Sequence, residues 1–473
     1  MSSLGSPSNP LRVAIIGSGP SGFYAAEHLQ KQDIAVQIDM IERLPTPFGL
    51  VRGGVAPDHD KIKSVTKVYE RIAQKPDFGF YGNVNFGKDV TLAELQARYH
   101  AIIYAVGAQT DRNLDIPGED LLGSHAATEF VGWYNAHPDY RNYEFDLTQE
   151  SAVVIGVGNV AMDVTRILAR TYAELAQTDI ADYALEALAN SNIKTIYILG
   201  RRGPTQAAFT NPEIKELGEM SGADLIIAPE EVTLGDLSRE ELLENPDRTA
   251  EKNLQTMTLY SERAPEGKPR QIILRFLTSP VEILGDDRVT AIKVVKNELY
   301  RDERGKIRPR ATDQTEVIPV GLVFRSVGYH GIPLPDVPFN ESWGTIPNKQ
   351  GWVLRHQDSD EKLTGNYVVG WIKRGPSGVI GTNKPDSVET VNALLEDMEK
   401  DALLSPSLTT PDALEKLLRE RGVQIVTYAD WQTLDSIEQS RGEAQGRPRV
   451  KFSKIEDMLN AIAEHKQTDP MGD

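Results

Sequence analysis

Two short stretches of this sequence carry the residue types and spacing needed to hold a phosphate-bearing nucleotide. The first reads Val13-Ala-Ile-Ile-Gly17-Ser-Gly19-Pro-Ser-Gly22 and runs on into Phe-Tyr-Ala-Ala-Glu-His-Leu. Its glycines follow the GxGxxG spacing. The first makes a tight turn, the second lets backbone approach a pyrophosphate, and the third lets a helix pack closely on its strand. The N–H groups and positive dipole end of the following helix are directed at the phosphates. After Gly22 comes a second apolar run, Ala35–Ile41, which ends in Glu42. An acid there accepts hydrogen bonds from both ribose hydroxyls. The second stretch reads Ala152-Val-Val-Ile-Gly156-Val-Gly158-Asn159-Val160-Ala161-Met-Asp163, with alanine in the third glycine's place. Its next strand, Lys194–Leu199, follows a helical insertion and ends in Gly200-Arg201-Arg202-Gly203. An acid at that strand end would suit a free 2′-hydroxyl. Two arginines instead offer fork-shaped donors to a 2′-phosphate, so this site is expected to select NADP. A third glycine-rich turn, Trp371-Ile-Lys-Arg-Gly375-Pro-Ser-Gly378-Val379-Ile380-Gly381, presents backbone N–H groups to an electron-rich edge such as the N1–C2=O region of a flavin.

These turns need strands and helices to position them. Each nucleotide stretch is an apolar strand, a glycine turn and a helix, the opening of a parallel α/β unit. Between the two copies, Tyr99–Ala108 reads as a buried strand ending in a glycine turn, and Gly321–Tyr329 repeats that pattern. Each is placed to carry the chain between a first dinucleotide domain and a second one inserted into it. The expected fold is therefore α/β, with two Rossmann-like, three-layer domains built on parallel sheets. Residues 1–110 and 321–404 would form the first domain and 111–320 the second. Within the insertion, Gln271–Leu277 and Val289–Lys296 alternate and are β-branched, which suits a small antiparallel sheet. Beyond Leu404 the run Ser405-Pro-Ser-Leu-Thr-Thr-Pro marks a linker, and residues 405–473 are expected to form a small helical extension with helices over Pro411–Arg421 and Ser453–Ala463.

Composition narrows the chemistry. The 473 residues include 51 Lys+Arg against 69 Asp+Glu, a formal charge of −18, which argues against general affinity for nucleic acid or anionic lipid. There are no cysteines. Disulfides, thiolate zinc sites, cysteine-ligated iron–sulfur clusters and CxxC redox chemistry are thereby excluded, and no metal site is expected. Electrons must travel through a bound organic cofactor or a partner. No apolar run approaches the roughly 20 residues of a membrane span, and the N-terminal stretch lacks signal-peptide character, so a cytoplasmic protein is expected.

Several longer stretches resemble a known family. They are GSGPSGFYAAEHL from Gly17, LPTPFGLVRGGVAPDH from Leu44 to His59, FVGWYNAH from Phe130, GVGNVAMDVTRIL from Gly156, Gly200-Arg-Arg-Gly-Pro running to Ala208-Phe-Thr, and WIKRGPSGVIGTNK from Trp371. Their order is similar to that of the adrenodoxin-reductase-type ferredoxin–NADP(+) reductases, in the bacterial form with a C-terminal extension. The resemblance implies FAD on the first domain and NADP on the second. FAD contacts would come from Gly17, Gly19, Ser21, Gly22, Glu42, Leu50, Phe86, Trp371, Gly378, Val379 and Ile380. NADP contacts would come from Gly156, Gly158, Asn159, Val160, Ala161, Arg201 and Arg202, with Gly378 and Glu213 also reaching the nucleotide. His59 and Glu213 would lie near the flavin–nicotinamide contact as the catalytic pair, orienting the nicotinamide amide and stabilising charge.

The implied reaction is FAD-mediated electron transfer between NADPH, a two-electron hydride donor, and a one-electron carrier. That carrier would be a ferredoxin-type iron–sulfur protein, or a flavodoxin in its place. The alternatives are a general NADPH diaphorase or quinone reductase, and a non-catalytic NADP(H)-binding redox sensor. Because ferredoxins are acidic, docking calls for a basic patch. The candidates are Lys61, Lys63, Lys67 and Arg71, and separately Lys373, Arg374 and Lys384.

Overall fold

A computed structural model describes residues 3–468; residues 1–2 and 469–473, at the two ends of the expected ranges, lie outside the described residues. The chain forms two compact units. Unit 1 is built from 3–55, 59–110 and 329–468, and unit 2 from 56–58 and 111–328.

Unit 1 opens with β1 (Leu11–Ile16), β2 (Val36–Ile41), β3 (Phe78–Tyr81) and β4 (Ala101–Tyr104), and the chain leaves it at β5 (Thr110–Asp111). Unit 2 contains β6 (Ser124–Ala126), β7 (Ser151–Ile155), β8 (Thr195–Leu199), β9 (Ala223–Ile227), β10 (Arg270–Arg275), β11 (Thr278–Leu284), β12 (Ala291–Arg301), β13 (Ile307–Pro319) and β14 (Leu322–Arg325). The chain returns through β15 (Tyr329–His330) and completes unit 1 with β16 (Asn348–Lys349), β17 (Trp352–Leu354) and β18 (Lys362–Val368).

The sheet of unit 1 runs β16-β17-β18-β4-β1-β2-β3. It is parallel from β18 to β3, with β17 antiparallel to β18 and β16 to β17. All six residues of β1 are buried because both faces of the sheet are covered. Leu11, Val13 and Ile15 share a core with Phe23 and Ala26 of the Pro20–Leu29 helix. Ala14 and Ile16 face the opposite way, into a core with Leu95 and Tyr99. From Val13 to Ile16 a strand covered on both sides reads as an apolar run rather than an alternating one, with Arg12 the buried exception.

The C-terminal extension is part of this unit and contributes to both cores: Leu414 and Leu418 to one, Trp431, Leu434, Met458 and Ile462 to the other. Besides the helices Ala413–Glu420 and Ile455–Thr468, it has a 16-residue helix, Tyr428–Glu443, where the sequence reading placed none. Its apolar face is sparse. Its start is nevertheless marked by a capping box, in which Thr427 Oγ1 accepts from Asp430 N while Asp430 accepts from Thr427 N.

The main sheet of unit 2 runs β6-β14-β7-β8-β10-β9 and is parallel throughout. Ala152 and Val154 of β7 face a helical layer that includes Ile167. Val153 and Ile155 face Ile283, Ile292, Val294 and Ile318, which belong to the antiparallel sheet β11-β12-β13. The third layer of this unit is therefore a sheet instead of helices. Two expectations are corrected. Gln271–Leu277 does not join the antiparallel sheet: β10 lies between β8 and β9 in the parallel one, and its alternating burial imitates a half-exposed strand. The second crossing falls at Gly328 and not at Val320, because β14 pairs with β6 and β7 and so belongs to unit 2.

Candidate functional site

In unit 1 the first glycine turn follows directly from β1. Gly17 has φ +102°, and a Cβ there would lie 2.6 Å from the carbonyl oxygen of Ala105, so the turn tucks under the end of β4. A Cβ on Gly22 would lie 2.5 Å from Gly17 O, which is why helix and turn approach so closely. Gly19 differs from both. Its backbone is extended, and a Cβ would meet nothing within 4 Å. Neither strain nor packing within the chain accounts for glycine here; an open space at a helix N-terminus does, if a ligand fills it.

Glu42, at the end of β2, accepts from Ser18 N (3.1 Å) and Ser18 Oγ (2.7 Å) on Oε2 and from Leu44 N (3.0 Å) on Oε1. The carboxylate is fixed in place and keeps lone pairs for further donors. Phe48 N donates to Ser18 O (3.0 Å), and a Cβ on Gly49 would lie 2.9 Å from Gly19 Cα. This anchors the start of the Leu50–Gly53 helix, where Leu50 is exposed. Phe86 behaves otherwise: its ring is buried against Tyr104, so any contact with a ligand would come through its backbone.

The third turn joins the same carboxyl edge of the sheet. Gly370, two residues after the end of β18, sits so close to Ser21 that a Cβ would lie 2.5 Å from Ser21 Oγ. Ser387 Oγ donates to Ser21 O at 2.9 Å. Trp371 Nε1 donates to Ser377 O (3.1 Å), and its ring packs on Tyr329. Gly378, at φ +79°, and exposed Val379 lead into the turn Ile380–Thr382 and the helix Asn383–Glu399. The basic cluster expected beside this turn is engaged in ion pairs within the chain, with Lys384 still exposed. Lys373 is buried against Asp386 and Glu389, Arg374 pairs with Asp386, and Lys384 pairs with Glu27. Lys61, Lys67 and Arg71 of the other cluster are exposed. His59, in the same unit, is half-buried and opens the short helix Asp60–Lys63, its carbonyl accepting from Ile62 N (3.0 Å) and Lys63 N (3.2 Å).

Unit 2 repeats the first turn with changes. Gly156 has φ +130°, and a Cβ there would lie 2.1 Å from Ser326 O, below the end of β14. Gly158 is extended, and a Cβ would meet nothing within 4 Å, as at Gly19. Ala161 is fully buried, so this turn accommodates the methyl group that Gly22's position cannot. Asn159 Oδ1 accepts from Thr210 N at 2.9 Å, while Val160 packs against the helical core. Beyond β8, Arg201 is exposed and Arg202 half-buried. Among the described residues no carboxylate forms an ion pair with either. Burial, then the neighbouring charge of Arg201, draws Arg202 below the ordinary arginine value. A bound anion would relieve that pressure.

Glu213 lies in the first turn of the Asn211–Gly218 helix and is 7% exposed. Its carboxylate accepts from Arg166 Nη1 at 3.1 Å. Sequence reasoning had not singled out Arg166, which is fully buried and also contacts Asp58 (2.7 Å) and Asp163 (2.6 Å). Burial opposes its charge, but Asp58, Asp163 and Glu213 outweigh that and raise it well above the ordinary value. The available signal was an Asp163–Arg166 pair one helical turn apart within an otherwise apolar helix.

Two dinucleotide-type turns on two parallel sheets, the second interrupting the first in sequence, define a class of nucleotide-dependent oxidoreductases. The family model described as pyridine nucleotide-disulphide oxidoreductase matches residues 11–198. The NADPH-ferredoxin reductase FprA of Mycobacterium leprae is 48% identical over 94% of this chain and 97% of its own. The mitochondrial NADPH:adrenodoxin oxidoreductase of Arabidopsis thaliana is 39% identical over 96% of each. A solved structure of Mycobacterium tuberculosis FprA in complex with NADPH superposes with a TM-score of 0.89, at 46% identity over 96% of this chain and all of that one. The chain belongs to the adrenodoxin-reductase-type ferredoxin–NADP reductase family. The mitochondrial match extends over nearly the whole chain, so the C-terminal extension has a counterpart outside bacteria. Among the described residues no helix is long and apolar enough to cross a membrane.

Proposed function

We propose that this protein is an FAD-dependent NADPH:ferredoxin oxidoreductase, with FAD on unit 1 and NADP(H) on unit 2. One observation carries the assignment of nucleotide to unit. The two turns share an open second glycine, but the adjoining strand ends in a fixed carboxylate in unit 1 and, in unit 2, in an arginine pair that forms no ion pair among the described residues. Both turns fit a dinucleotide, since Gly19 and Gly158 leave the space before each helix clear. Gly17–Gly22, Glu42, the Leu50 helix and the Trp371–Ile380 turn would hold FAD. Gly156–Ala161, Arg201 and Arg202 would hold NADP(H).

Bound FAD supplies the chemistry that connects a two-electron nucleotide to a one-electron carrier. The chain's own residues bind and orient. Glu42 would accept from ribose hydroxyls, and the N–H groups of the two helix N-termini would serve the pyrophosphates. The arginines receive the 2′-phosphate. Glu213, held by the hydrogen bond from Arg166 Nη1, would accept from an amide N–H of nicotinamide, and His59 would supply a polar contact of its own. The electron partner is an iron–sulfur protein of the ferredoxin type, and the protein works in the cytoplasm.

Anaerobic stopped-flow mixing with NADPH and NADH, followed by flavin absorbance, tests the reading. Fast bleaching by NADPH and slow bleaching by NADH are expected, together with ferredoxin-dependent turnover. Equal rates would remove the phosphate assignment, and a colourless protein would remove the FAD site.

A further inference from the structure

The backbone that presents the two arginines is held by residues far from the glycine turn. Gly200 O accepts from Thr278 N at 2.9 Å, and Arg202 O accepts from Leu277 N at 3.0 Å. The carbonyl between them, that of Arg201, is bonded by a side chain instead: Asn297 Nδ2 donates to it at 2.8 Å. The same amide donates to Ser279 Oγ at 2.7 Å, and Asn297 N donates to Leu277 O at 2.7 Å. Asn297 is 5% exposed and sits where the register of β12 against β13 shifts between Val295 and Asn297. That irregularity in the antiparallel layer aims a buried amide at the neighbouring turn.

The bonded carbonyl belongs to the planar peptide joining Arg201 to Arg202. Holding that plane restrains ψ of Arg201 and φ of Arg202, and with them the directions in which the two Cα–Cβ bonds leave the turn. Two adjacent guanidinium groups repel each other and would splay in a free loop. A fork closing on one phosphate needs them held convergent before the ligand arrives, and such preorganisation raises affinity.

We propose that Asn297 is a specificity-determining positioning residue for NADP(H): it locks the 201–202 peptide so that both arginines address one 2′-phosphate. This rests on the reading of Arg201 and Arg202 as the phosphate site. Asn297→Leu conserves volume and removes the donor. Binding of adenosine 2′,5′-bisphosphate and of 5′-AMP to the FAD-loaded enzyme is measured by calorimetry, alongside steady-state kinetics. The expected result is roughly tenfold weaker binding of the bisphosphate with 5′-AMP affinity unchanged, and a KM for NADPH raised about tenfold while kcat and the KM for NADH stay as they were. Equal weakening for both nucleotides, or none for either, overturns the proposal. If Asn297→Leu does not fold, Asn297→Ser, too short to reach the Arg201 carbonyl, is read by the same ratio. The Arg201→Ala/Arg202→Ala double variant separates the two levels. Should it retain discrimination between the nucleotides, the phosphate reading fails. Should it lose discrimination while Asn297→Leu keeps it, only the role of Asn297 fails.

Discussion

The two glycine turns are close to a controlled pair. In each, a glycine of positive φ tucks beneath the carbonyl that ends a neighbouring strand, Ala105 in unit 1 and Ser326 in unit 2. In each, a second glycine leaves clear space before a helix. They part at the third position, where Gly22 has no room for a methyl and Ala161 is one, and at the end of the next strand. Glu42 is already bonded by Ser18 and Leu44, whereas neither Arg201 nor Arg202 forms an ion pair among the described residues, Glu241 acting on Arg202 only from a distance. Backbone geometry makes a place for a pyrophosphate, and the neighbouring strand's last residues decide which ribose accompanies it. On the proposed reading, a strand-end carboxylate held within the protein meets neutral hydroxyls, and a charged pair without an ion-pair partner meets a phosphate.

Filling one turn alone breaks the comparison most severely. Because a Cβ on Gly19 meets nothing, Gly19→Leu should leave unit 1 folded yet weaken FAD by about a thousandfold, ~4 kcal/mol. A colourless preparation with unchanged circular dichroism is the expected result, and a fully yellow one would show that the space is not the cofactor's.

The strands beneath the turns also differ. β2 carries Asp39, 2% exposed, whereas β8 runs Thr-Ile-Tyr-Ile-Leu with no acid. Burial pushes the Asp39 carboxyl up to about 6 from 3.8, against the hydrogen bond from Tyr99 and the charge of Arg12. The native state then retains a proton that the unfolded chain releases near pH 4. Stability should therefore fall as pH rises from about 4 to about 6, by up to ~3 kcal/mol. Asp39→Asn should flatten that slope in urea titrations followed by flavin fluorescence, and an unaltered slope would locate the proton elsewhere.

Arg201→Ala/Arg202→Ala should raise the KM for NADPH about a hundredfold, ~2.7 kcal/mol, with NADH changed less than about twofold. The smallest effect belongs to the residue already satisfied. Glu42→Gln, which keeps one acceptor oxygen, should weaken FAD about tenfold, measured by flavin fluorescence on dilution. A loss matching that of Gly19→Leu would mean that the carboxylate's charge, rather than its acceptor geometry, holds the ribose.

Much of this pair was legible in the sequence, because glycine spacing and strand-end residue type are local signals. The structure placed Gly17, Gly156, Glu42 and Arg201 after their strands as the spacing required. What escaped was set by contacts remote in sequence. β10 was misread because half-burial inside a parallel sheet looks like antiparallel alternation. Arg166 looked like any helix arginine until Asp58 and Glu213 closed around it, and Asn297 had no signal of its own on a strand otherwise chosen for packing. A count of basic residues likewise could not show that acids pair with Lys373, Arg374 and Lys384.

The extension's hold on unit 1 has a consequence during synthesis. Glu438, fully buried, binds Arg52 through both carboxylate oxygens (2.5 and 2.8 Å), and β18 must slot beside β4. Between the two parts of unit 1 the ribosome must make about 220 residues of unit 2, which takes roughly 10–40 s at ~5–20 residues per second. Throughout that interval the half-sheet β3-β2-β1-β4 has an open edge at β4, and Arg52 has no carboxylate. A chain arrested anywhere between Gly328 and Glu438 would carry every strand of unit 2 beside an unfinished flavin fold, the form that holdase chaperones and proteases select.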